Sequence, residues 1–154
     1  MAAALPLSDL ASTVLVDSAG RISHQQCATY LHAIQDMSWF EAAFPTHSTP
    51  VTVVGGRGRS HADEAENRVK IGTYDRSSAF TCEHACLHEL AHIVTSDFGA
   101  GGELREPTHG RASSKGHHHA WRANFVLIVR MSLGKRAATR LRHELNQWGL
   151  PTHR

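Results

Sequence analysis

An α+β fold, with a small β-sheet packed beside one chemically marked helix and further helices around it, is what the sequence predicts. Three observations carry that expectation. Residues 87–94 place the pattern His-Glu-x-x-His inside an apolar, helix-forming run. Two short segments before it, at 51–54 and 68–72, have the composition of strands, and two apolar, helix-periodic stretches follow from 117 onward.

Residues 1–8 are apolar but short, lack a leading positive charge and run into Asp9, so a disordered terminus is expected rather than a signal peptide. Residues 8–16 suit a short helix or a strand equally. Ser23 followed by Gln26 forms a capping-box pattern, and Cys27, Tyr30, Leu31, Ile34 and Met37 then share one helical face. A helix over 24–37 follows. The aromatic segment at 38–45 ends at Pro45, as suits a chain leaving a helix and packing back on the core.

Val51-Thr52-Val53-Val54 is β-branched throughout and is stopped by Gly55-Gly56, which predicts a strand. The polar run 57–67 reads as a loop or an exposed hairpin. Arg68-Val69-Lys70-Ile71-Gly72 alternates with period two, the pattern of a half-buried strand.

Wound at 100° per residue, 79–95 puts Phe80, Leu87, Leu90, Ala91 and Val94 on a core face and His84, His88 and His92 on the adjacent one. Residues four apart on a helix stand one turn apart on the same side, so the imidazoles of His88 and His92 can close on a single ion. Glu89 is offset by 100° from His88, off the metal but within reach of a metal-bound water, the place of a general base in metal-assisted hydrolysis. Cys82 and Cys86 point at least about 80° away from these histidines and are expected to pack as small apolar residues.

Residues 96–116 contain Gly99, Gly101, Gly102, Pro107 and Gly110 and are expected to form a mobile loop over the cleft. A buried helix over 117–133 stops at Gly134. A last helix, 135–148, turns Arg136, Arg140 and Arg142 outward and Ala138, Leu141, Leu145 and Trp148 inward.

A catalytic zinc keeps three protein ligands and a place for water. His117, His118 and His119 are the candidates for the third. On a helix that includes 117, Trp121, Phe125 and Ile128 lie on the side of His117, which ranks His117 first, His118 second and His119 last. His84, one turn before His88, and Tyr74, near the strand end, are candidates for second-shell support or transition-state stabilisation.

His88-Glu89-Leu90-Ala91-His92, with His117 and an aromatic residue four positions on at Trp121, resembles the SprT-like branch of small zincin metallopeptidases. Trp39-Phe40 with Phe44-Pro45, the turn from Gly55 to Arg59 and the ending Leu133-Gly134 are similar to a family of small actinobacterial and phage proteins described as metallohydrolases. The resemblance covers roughly 22–150, and it departs at His118, where the family has glycine. It implies one minimal zincin-like domain over 1–154, Zn2+ as cofactor, and hydrolysis of a peptide or other amide bond by water activated at Glu89. It names no substrate.

With 154 residues the chain is long enough to bury a core without disulfides, and three cysteines without an evident secretion signal suggest a reducing cytoplasm. No apolar run approaches bilayer length, so no membrane partner is expected. A net charge of +2, with the basic residues spread along the chain until its last twenty, does not call for nucleic acid. Arg136, Arg140, Arg142 and Lys135 keep open an alternative class: a non-catalytic, zinc-stabilised module that binds DNA or protein, or a SprT-like protease acting on DNA-bound protein. Oligomeric state is not legible.

Overall fold

A computed structural model of the chain describes residues 20–100 and 119–149, with 96–100 described by backbone alone. It is a mixed α+β arrangement. Ser23 caps helix α1 (His24–Gln35), accepting a hydrogen bond from the amide of Gln26 at 3.1 Å, so the capping signal read from the sequence starts the helix where expected. The helix ends two residues early, at Gln35. The aromatic segment after it winds into a short helix, α2 (Ser38–Ala43), which buries Phe40 and leaves Phe44 beside it at 5.0 Å between ring centroids.

Strands β1 (Thr52–Val54), β2 (His61–Asp63) and β3 (Arg68–Lys70) form one sheet in the order β1-β3-β2. β3 is central. It runs parallel to β1, with Val53 beside Val69, and antiparallel to β2, with Ala62 across from Val69. The 57–67 run therefore holds a real hairpin strand. Asn67 turns that hairpin at φ 49°, a conformation asparagine tolerates, and its side-chain amide donates to the carbonyls of Thr49 and Pro50.

Side chains lock the sheet to α1. The Gln35 side chain accepts from Val51 N–H at 3.0 Å and donates to the Thr49 carbonyl, while His32 Nε2 lies 2.7 Å from the Val51 carbonyl oxygen. The loop after β3 is pinned equally closely. Gly72 N–H donates to Ser60 Oγ at 2.8 Å, and a Cβ at Gly72 would lie 2.2 Å from the Gly58 carbonyl oxygen, so only glycine permits this approach. Arg76, in a single 3-10 turn (Asp75–Ser77), is buried and donates to the carbonyls of Ile71 and Ile22.

Helix α3 (Ala79–Ala100) is the longest element, with 22 residues. It runs past the point where the sequence suggested a loop: one glycine, at 99, costs a helix only about 1 kcal/mol, too little to end one already packed on the core. Residues 101–116, the remainder of the expected loop, lie outside the described residues, as do 1–19. Helices α4 (His119–Leu133) and α5 (Lys135–Gln147) meet at Gly134, whose φ of 98° suits glycine.

The core sits where α1, the sheet, α3 and α4 meet, around Leu31, Ile34, Phe40, Ile71, Leu87, Leu90, Ile93 and Ile128. Two expected core residues are corrected. Phe80, in the first turn of α3, is 72% exposed and borders the open cavity between α3, α4 and α5, and Trp148, the C-cap of α5, is 59% exposed. Arg136, Arg140 and Arg142 are exposed, as expected, and Arg140 pairs with Glu144. Among the described residues no helix is long and apolar enough to cross a membrane.

Candidate metal centre

His88, Glu89 and His92 project from two consecutive turns in the middle of α3. Each offers a ligand atom, and these atoms lie within 4.8 Å of one another. The two imidazoles stand 5.1 Å apart between ring centroids and are half-buried, while Glu89 is buried. Helix α4 walls the site. The Trp121 ring stacks on His92 at 5.1 Å with planes 23° apart and lies 4.9 Å from His88, and its Nε1–H donates to the His88 carbonyl oxygen at 3.4 Å. Phe125, one turn on, lies 5.5 Å from His88. Beyond the site, Asn124 donates to Thr95 Oγ1 at 3.0 Å and ties the same two helices together again.

Glu89 is the electrostatic centre of this arrangement. One carboxylate oxygen, Oε1, is 3.6 Å from His88 Nε2; the other, Oε2, is buried with no hydrogen-bond partner among the described residues. Burial, reinforced by the carboxylates of Asp75 and Glu64, pushes its pKa up to about 8. A carboxylate in so poorly compensated a place costs stability unless a cation or proton meets it. Two imidazoles one turn apart form a donor pair that fits a divalent, nitrogen-preferring ion such as zinc, with the buried carboxylate oxygen beside that pair.

His84 lies one turn before His88, at 6.3 Å between ring centroids, and packs edge-on against Phe125 at 5.6 Å. It is exposed on its outer side and lines a cavity of about 480 Å³ between α3, α4 and α5. Its partial burial holds the imidazole pKa below the ordinary value, against the opposing carboxylates of Glu144 and Asp75. Tyr74 is 81% exposed and lines a separate surface cavity with Arg21, Arg57 and Arg59.

His117 and His118, the leading candidates for a third ligand, lie outside the described residues. His119 is the first described residue of α4, so the helical-wheel ranking of the three rests on a helix that is described only from 119 onward. Sequence reasoning valued Trp121 for its distance from His117. Its stacking on His92 and its bond to the backbone of His88 were missed, since nothing local to 121 signals them. The approach of Asp75 and Glu64 to Glu89 was missed for the same reason.

Compared with protein-family models, with curated proteins and with solved structures, the chain matches none.

Proposed function

We propose that the chain is a zinc-dependent hydrolase of the zincin kind, cleaving a peptide or other amide bond. The observation that carries this reading is Glu89 Oε2, buried and without a hydrogen-bond partner among the described residues, beside two imidazoles that can share one ion. His88 and His92 would hold the metal, with His117 ranked first and His118 second for the remaining protein ligand. Zinc bound there supplies a Lewis acid that makes water acidic near neutral pH and polarises the scissile carbonyl.

The protein's own part is positional. Glu89 Oε2 stands one residue from His88, where it can accept a proton from the attacking water and return it to the leaving nitrogen. Trp121 fixes the orientation of the His92 ring by stacking and narrows water access from the α4 side. His84, one turn before His88, would have a supporting part, lining the space beside the metal ligands, or would donate to developing charge on a substrate oxygen.

The decisive experiment pairs two variants. Glu89→Gln is expected to keep zinc, measured by elemental analysis after purification without chelator, and to lose hydrolysis of a broad peptide library; His88→Ala is expected to lose both. Wild-type protein without stoichiometric zinc, or a Glu89→Gln variant turning over as fast as wild type, would overturn the reading. The alternative of a non-catalytic DNA-binding module gains little from α5: its arginines are exposed, but Arg140 is already paired with Glu144 at 3.5 Å.

A further inference from the structure

On the side of α3 turned toward α1, three cysteines meet. Cys82 and Cys86, four apart on α3, face Cys27 of α1; all three are 0% exposed and their sulfur atoms lie within 4.8 Å of one another. Cys27 Sγ and Cys82 Sγ are 3.2 Å apart. We propose that Cys27, Cys82 and Cys86 form a closed trigonal thiolate site for a soft divalent metal ion, separate from the histidine site.

The geometry favours an ion over the other uses of buried cysteine. Metal–sulfur bonds of about 2.3 Å in a trigonal plane put the sulfurs about 4.0 Å apart, within the spread found here and reached from the close pair by an opening of about 0.8 Å. A disulfide would use two sulfurs, leave the third without a role and require an oxidant. Simple packing requires only that each cysteine be small and apolar; it gives no reason for three sulfurs from two helices to converge on one point.

Charge selects the class of ion. Loading sends the remaining thiol protons to solvent and leaves three thiolates around a dication with one net negative charge. The Arg76 guanidinium acts on Cys27 and, being buried, offsets that remaining charge. A monovalent ion would leave a second negative charge in the core. Because the site is sealed, the ion enters as α1 docks on α3, so metal binding and packing of these helices are one event. The ion would join α1 to α3 one turn before His88.

Cadmium tests this, being soft, divalent and visible through sulfur-to-metal charge transfer in the ultraviolet and through cadmium NMR. The full chain, produced under reducing conditions in zinc-poor medium supplied with Cd2+ alone, is expected to show the charge-transfer band and a strongly deshielded cadmium resonance of all-sulfur ligation. Both should survive in His88→Ala and vanish in Cys27→Ala, with Cys82→Ala giving the same loss if the first variant folds poorly. The histidine site, which has no sulfur, contributes to neither signal, so its failure and that of the cysteine site are read separately. Wild-type protein lacking the band overturns the proposal, whether thiol titration after unfolding finds three free thiols, as in plain packing, or one, as with a disulfide.

Discussion

Two faces of one helix use the same spacing for opposite ends. On α3, Cys82 and Cys86 are four residues apart, and so are His88 and His92; each pair is met by side chains from one neighbouring helix. The cysteine face is closed by α1 and has no exposure at all, whereas the histidine face is walled by Trp121 and Phe125 of α4 and stays half-open. An i, i+4 pair creates a possible chelate, and the covering helix decides whether anything from solvent can reach it. Only the half-open face has a buried carboxylate oxygen left without a partner among the described residues. The proposed chemistry on a substrate therefore needs the histidine face, and the proposed sealed site the cysteines.

The comparison breaks most sharply if the histidine face can be damaged without effect. His92→Ala should abolish zinc retention and reduce hydrolysis at least about 100-fold, read by elemental analysis and peptide turnover. Glu89→Gln should leave zinc in place and lower turnover by about 10²–10⁴-fold, the usual contribution of a positioned general base. Trp121→Ala should cost about 3–5 kcal/mol in denaturant unfolding as a buried aromatic lost from the core, and should also weaken zinc binding about 10–100-fold, because His92 loses the ring it stacks on.

A smaller effect is a matter of protons. In metal-free protein the Glu89 pKa is raised from 4.5 to about 8, so between those values the folded state holds a proton the unfolded chain has released. The stability this group contributes is full below pH 4.5 and is lost as pH rises toward 8. Glu89→Gln should flatten that decline in urea midpoints measured with chelator, by no more than about 3 kcal/mol at neutral pH. Smallest of all, in metal-free protein measured with chelator, Cys86→Ser should cost about 1–3 kcal/mol by placing a hydroxyl in a sealed core, with hydrolysis per folded, zinc-reloaded molecule unchanged. A large catalytic defect in that variant would show that the two faces are not independent.

What could be read from the chain beforehand divides along the same line. The metal helix, the cap at Ser23 and the alternating strand at 68–70 are written in spacings of two to four residues, which sequence displays directly. β2 was legible only as one of two options, a loop or an exposed hairpin, because its residues are polar or small and it exists only through its pairing with β3. Cys27 lies 55 residues from Cys82, so their meeting depends on how α1 docks, which no local pattern encodes. The exposed Phe80 and Trp148 show the limit of periodicity: it gives a residue's direction but not whether the space on that side is filled. The candidate site was legible in His88, Glu89 and His92, and illegible in the wall that α4 builds around them.

The contact between Trp121 and the two histidines also makes the site observable in light. Trp121 is 2% exposed and stacked on His92, whereas Trp39 is half-buried on α2 and Trp148 is 59% exposed at the end of α5. Of the chain's three indoles, one alone touches the imidazoles, and its emission should lie furthest to the blue. Any ion that draws charge from His92, or any substrate that shifts α4, alters the surroundings of that one fluorophore. Occupancy of the histidine face can thus be followed in the unlabelled protein, in real time, whatever ion or molecule binds there.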